Sequence, residues 1–201
     1  VSAPNPDAPV PDDYGEHLAE VDYPLPPALE AFHDLYVKAY LNYAFLMTGD
    51  KEASLAIVRR CFSHLTLNWA HALQFEDGTE AYAWALLKSR VDNHLRMIGL
   101  PAQIVETAAF QRTARSILES VRCKFEVMET SLGLYTAIAE LPERQFDAVV
   151  LLYVLGYPSA RVADIMGVTK DTVRSHRHLA RRRIARKLGL PWTAVHDQDK
   201  E

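Results

Sequence analysis

The 201-residue chain is 49% apolar, holds only eight glycines and has a net charge of −4, so it can bury a helical core and is not a uniformly basic polyanion binder. Its longest apolar run, 148–155, is far too short to cross a bilayer. Cys61 and Cys123 stand apart from each other and from any Cys/His cluster with metal spacing, so they read as buried free thiols.

Residues 1–26 carry Asp7, Asp12, Asp13, Glu16, Glu20 and Asp22, many prolines and no Lys or Arg. Such a stretch buries too little apolar surface to offset its ordering entropy and reads as a disordered acidic arm. With no basic-then-apolar leader at its start, the chain reads as cytosolic. Pro26 and Pro27 suit a helix start. Leu29, Phe32, Leu35, Tyr36, Ala39, Tyr40, Tyr43 and Leu46 then repeat at helical spacing up to a stop at Gly49. Asp50 caps a second helix running to about Leu73, with Leu55, Val58, Phe62, Leu65 and Trp69 on one face. A polar loop, 74–79, leads to a third helix with Trp84, Leu87, Val91 and Leu95, stopping near Gly99.

Pro101 marks a break, and 99–130 reads as a linker containing helix. Beyond it, Leu132, Tyr135, Ile138 and Ala139 form a short apolar face, and Pro142 opens a helix reaching about Leu155 and ended by Gly156. Ser159 is expected to cap a short helix with Val162, Ala163, Ile165 and Met166, ended by Gly167. Thr169 caps a long basic helix through Leu188. The expected fold is all-α: a three-helix domain at 27–98, the linker at 99–130, a second helical domain at 131–190 and a tail at 191–201.

The charge is unevenly spread. Between 159 and 190, nine basic residues face only Asp164 and Asp171. Short helix, glycine turn and long basic helix is the order a helix-turn-helix requires. The second helix of such a motif enters the major groove by its N-terminal end. Lys170, Thr172, Arg174, Ser175, Arg177 and His178 are placed to meet base edges there. Arginine suits guanine edges in a bidentate way, and Ser or Thr accept several partners. Arg181, Arg182 and Arg183 lie further along and suit phosphates, as do the amides that follow Thr169. A helical hairpin with an arginine-rich solvent face is the plainer alternative.

Leu141-Pro142-Glu143-Arg144-Gln145, then 162–168, then Thr172-Val173-Arg174-Ser175, resembles region 4 of the sigma-70 family of bacterial sigma factors, closest to the extracytoplasmic-function (ECF) group. Leu35-Tyr36, the 46–52 junction, Phe62 and the loop from Phe75 to Trp84 resemble sigma region 2 more weakly. The resemblance implies a transcription initiation factor whose region 4 reads the −35 promoter element and docks on the polymerase β flap. It implies that region 2 binds the β′ clamp helices of core RNA polymerase and opens the −10 element, and that an anti-sigma factor is a further partner.

By the same resemblance, Phe75, Tyr82, Trp84, Arg90, Asn93 and Arg96 are candidate −10 contacts, and Ala56, Arg59 and Arg60 are candidate core-polymerase contacts. Aromatic side chains suit this work because unpaired bases stack on them, although Trp84 reads equally well as core. The sequence departs from the family where an acid-rich stretch normally faces the clamp helices: 54–61 has no acid and contains Arg59 and Arg60. Arg161 also replaces a usual glutamate, and Arg177 a usual leucine. Two further readings therefore stand beside a working sigma factor: a sigma-derived DNA-binding regulator with weak or no core polymerase binding, and a decoy that does not bind DNA but binds an anti-sigma factor or polymerase. The eight histidines are scattered, and no GxSxG, HExxH or glycine-rich phosphate loop is present, so neither an enzyme nor a cofactor is expected.

Overall fold

The computed structural model describes residues 26–99 and 137–189. The acidic arm at 1–25, the linker between 100 and 136, Cys123, the apolar positions Leu132 and Tyr135, and the tail from 190 onward lie outside the described residues. Those described are helical, with no strand among them: α1 Pro27–Thr48, α2 Lys51–Leu73, α3 Thr79–Met97, α4 Glu143–Val149, α5 Ser159–Met166 and α6 Lys170–Lys187. None of these helices is long and apolar enough to cross a membrane. Contacts divide the described residues into two compact units, 26–99 together with 163–169, and 137–162 together with 170–189.

In the first unit α1, α2 and α3 pack on one another in every pairing. Pro27 occupies the first helical position of α1, where its missing N–H costs nothing. Gly49 ends that helix in the left-handed region, at φ 66°, and donates to the Phe45 carbonyl. The α1–α2 corner is closed by a polar staple. Thr48 Oγ1 donates to the Ala44 carbonyl at 2.9 Å and lies 2.9 Å from the Ser54 hydroxyl, while the Asp50 carboxylate accepts from the Ala53 amide at 3.1 Å. The junction Thr48-Gly49-Asp50 thus satisfies helix-end groups that would otherwise be orphaned.

The core of this unit is aromatic. Tyr40, Tyr43, Phe62 and Trp84 are buried, with the Trp84 ring 4.7 Å from Tyr43 and 6.0 Å from Tyr40. Leu35, expected on the buried face of α1, is instead 54% exposed. It lies one position off the strip set by Phe32, Tyr36, Ala39 and Tyr43, and a helix of 3.6 residues per turn rotates it clear of α2 and α3. Cys61 is a free, fully buried thiol whose pKa is pushed up to about 12 by burial, only partly countered by the nearby Arg90 charge.

Periodicity does not reveal that α2 is kinked. Asn68 sits at φ −123°, ψ 23°, outside the helical region, and its side-chain amide donates to the His64 carbonyl at 2.9 Å. Thr66 makes the matching bond to the Phe62 carbonyl at 2.9 Å. Side chains that bond back to carbonyls four residues earlier compete with the helix ladder and bend it.

In the second unit, α4 packs on α6. Helix α4 passes directly into a π-helical turn, Val150–Val154, where a continuous α-helix to about Leu155 was expected. The Leu155 amide reaches the Val150 carbonyl at 3.0 Å, five residues back. Ile138 is buried as expected, but its neighbour Ala139 is exposed. Lys187 near the end of α6 pairs with Glu140.

Candidate nucleic-acid interface

Helix α5 begins at Ser159, so Ser159 is its first helical residue and not the cap expected from the sequence; Pro158 precedes it, and the Pro158 carbonyl accepts from Val162 at 3.0 Å. Pro fixes its own φ near the helical value and suits a helix entry. The turn that follows is built by Gly167 at φ 63°, a conformation L side chains rarely adopt, and by the Val168 amide bonding the Ala163 carbonyl at 3.0 Å. Thr169 stands immediately before Lys170, the first residue of α6. Of the five apolar residues whose spacing suits the small core of the motif, Val162, Ile165, Val173 and Ala180 are fully buried, whereas Val168 is half-buried.

The candidate base-reading residues fall into two groups. Lys170, Arg174, Ser175 and His178 are exposed, whereas Thr172 and Arg177 are half-buried. Of the candidate phosphate contacts, Thr169, Arg182 and Arg183 are exposed and Arg181 is half-buried. Arg174 lies 3.7 Å from Asp171, one turn earlier, and both side chains are well exposed. A solvent-exposed pair of this kind contributes little, so Asp171 does not hold Arg174 away from a stronger anion.

Behind this face, α4 contributes two polar residues to the interior, Gln145 and Asp147. His176 on α6 has its Nδ1 buried without a hydrogen-bond partner. Burial holds the His176 imidazole below its ordinary value, the Arg144 charge lowers it further, and Asp147 opposes both. Periodicity alone offers no sign of this cluster. A histidine whose folded value lies below the unfolded one binds fewer protons when folded, so stability is full above about 6.5 and declines as pH falls below it. Thermal unfolding of the full chain should therefore show a lower Tm at pH 5.5 than at pH 7.5, and His176→Leu should reduce that difference. An unchanged difference in the variant would remove His176 as the cause.

The candidate −10 residues are distributed unevenly. Trp84 is 0% exposed and is locked between Tyr40 and Tyr43, which corrects its assignment as a DNA contact: no base can reach it without opening the core. Phe75 is 38% exposed on the α2–α3 loop. Tyr82 and Arg90 are half-buried, and Asn93 and Arg96 are exposed. At 100° per residue, Tyr82, Arg90, Asn93 and Arg96 share one side of α3. Arg96 pairs with Asp92 on the surface, while the Arg90 Nε is buried without a hydrogen-bond partner.

Ala56, Arg59 and Arg60, the candidate polymerase contacts, are all exposed and share one face of α2. Among the described residues, no three His, Cys, Asp or Glu side chains are grouped to hold a metal ion.

Residues 131–184 match the family described as Sigma-70, region 4. The helix-turn-helix at 159–187 is similar to sigma-70 region 4 and lies almost wholly within that match. A stretch of 68 residues, 34% of this chain, is 40% identical to the ECF RNA polymerase sigma factor SigM of Mycobacterium tuberculosis, in both the Erdman and the H37Rv strain. The matched stretch spans 35% of the length of those relatives. A solved structure of the sigma factor RpoE in complex with the anti-sigma factor NepR, from Bartonella quintana, aligns over 82% of this chain and 99% of that one, at 15% identity and a TM-score of 0.40. The region 4 match covers α4, α5 and most of α6, including every candidate base-reading residue.

Proposed function

We propose that the chain is a bacterial sigma factor of the ECF type, which brings core RNA polymerase to a defined set of promoters. In this reading region 4 reads the −35 element with Lys170, Thr172, Arg174, Ser175, Arg177 and His178, while Thr169 and Arg181 to Arg183 hold phosphates. The first unit acts as region 2. It docks on the β′ clamp helices through the α2 face at Ala56, Arg59 and Arg60, and contacts the opened −10 element with Phe75, Tyr82, Arg90, Asn93 and Arg96. The observation that carries the reading is the region 4 match over a helix-turn-helix whose long helix is basic and exposed. In the same reading an anti-sigma factor is a further partner.

One observation favours a second reading, a promoter-binding regulator without core binding. The exposed α2 face carries Arg59 and Arg60 where the family presents acids. Reversing the charge at a polar interface weakens the right partner and selects a different one. Capture of core polymerase on the immobilised chain, followed by run-off transcription with core enzyme alone, tests both. Cognate transcripts support the sigma factor. Promoter binding without core capture overturns it in favour of the regulator.

A further inference from the structure

Four rings meet at the α2–α3 corner. Tyr82, in the first turn of α3, shares a 2.9 Å hydrogen bond with His64 Nε2 of α2, and the two rings are inclined by 30° with centroids 6.3 Å apart. His71 meets the Tyr82 ring edge-on at 5.5 Å, and Phe75 lies tilted against it at 5.3 Å. The kink at Asn68 falls between His64 and His71, and its side chain bonds the His64 carbonyl itself. Gly78, at φ 94°, and the Thr79 hydroxyl, which donates to the Ala72 carbonyl at 3.3 Å, fix the loop that carries Phe75.

We propose that His64 is a positioning residue for single-stranded DNA: its bond to the Tyr82 hydroxyl holds that ring so that Tyr82 and the exposed Phe75 together form a stacking platform for an unpaired base. The proposal rests on reading the first unit as the −10 binding region and adds a residue to it. Charge does not draw DNA to this corner, because Glu76 and Asp77 follow Phe75 directly. Attraction there must come from ring faces, which stack on any base. A platform that is already ordered binds better than one that must be ordered on contact. A tyrosine whose hydroxyl is tied to a neighbouring helix has given up that freedom before the base arrives.

The test uses the full chain and a short single-stranded oligonucleotide with 2-aminopurine at the position of the unpaired base, whose fluorescence is quenched by stacking. His64→Leu should weaken binding about fivefold and relieve part of the quench, the loss expected for one neutral hydrogen bond. His64→Gln, which can still reach the hydroxyl, should recover most of both. Tyr82→Phe removes the bond without leaving a cavity and should weaken binding to the same extent. In the Tyr82→Phe background, His64→Leu should then add nothing. Equal losses from His64→Leu with and without the Tyr82 hydroxyl, or no loss at all, overturn the positioning role and leave the −10 reading intact. If the unaltered chain neither binds the oligonucleotide nor quenches the probe, the −10 reading fails and the inference falls with it.

Discussion

Replacing Arg174 and Arg177 together with alanine should lower affinity for a −35 duplex by about a hundredfold and flatten its sequence preference. A good arginine contact to a guanine edge discriminates by about 1–3 kcal/mol, so losing two accounts for a change of that order. The two residues are placed differently on α6. Arg174 is exposed and, among the described residues, meets Asp171 in a weak surface pair. Arg177 is half-buried beside the strip formed by Val173, Ala180 and Ile184, so part of its side chain is already held out of solvent. Arg177 should therefore be the more specific reader, and Arg174 the more adaptable one.

Fluorescence anisotropy on a duplex selected by the chain itself, repeated on a scrambled duplex, separates specificity from simple charge loss. Removing a side chain that binds only phosphate would weaken both duplexes to the same extent and shrink the salt dependence. A double variant that binds the selected duplex as tightly as the unaltered chain would end the recognition-helix assignment.

Trp84→Ala should destabilise the first unit by about 3–5 kcal/mol, as truncation of a large buried aromatic does. For a domain of this size each kcal/mol moves Tm by about 4–8 °C, so a fall of more than ten degrees is expected. The near-UV circular dichroism of the packed aromatics should weaken with it. Trp84 lies against Tyr40 and Tyr43 with no exposed surface, so its loss leaves a void between α1 and α3 that neither helix can close alone. Trp84→Phe should recover much of the loss, because a smaller ring still fills part of the site. If Trp84→Ala kept its Tm and lost only single-stranded DNA binding, the residue would return to the candidate contacts and the core assignment would fail.

An aromatic residue beside the candidate −10 loop is chemically suited to both core and contact, and sequence alone does not separate the two roles. Phe75, Tyr82 and Trp84 lie within ten positions of one another, yet one is exposed, one half-buried and one fully enclosed. The deciding quantity is the direction of each side chain around α3 or the loop before it. Leu35 shows the same limit from the other side: it fits a generous apolar stripe, but the true contact strip is narrower and leaves it in solvent. The His64–Tyr82 bond joins residues eighteen positions apart, and no local pattern announces it. The only sequence trace is that His64 and His71 are seven residues apart, on one face of a helix.

The sequence by itself determined the all-helical fold of the described residues, the order of their helices, and the helix-turn-helix with its basic second helix. These follow from local rules. Apolar spacing of 3.6 residues, glycine at positive φ, an Asp cap and proline at a first turn each act within a few residues, so they are written in short segments. The tertiary structure decided which of the suitable residues meet. It buried Trp84, turned Leu35 outward, placed Gln145 and Asp147 of α4 in the interior, and brought His64 of a kinked α2 onto Tyr82 of α3. Those outcomes depend on helix rotation, which is set by how whole helices pack, and on a bend at Asn68, beside the back-bonds of Thr66 and Asn68, that apolar spacing does not register.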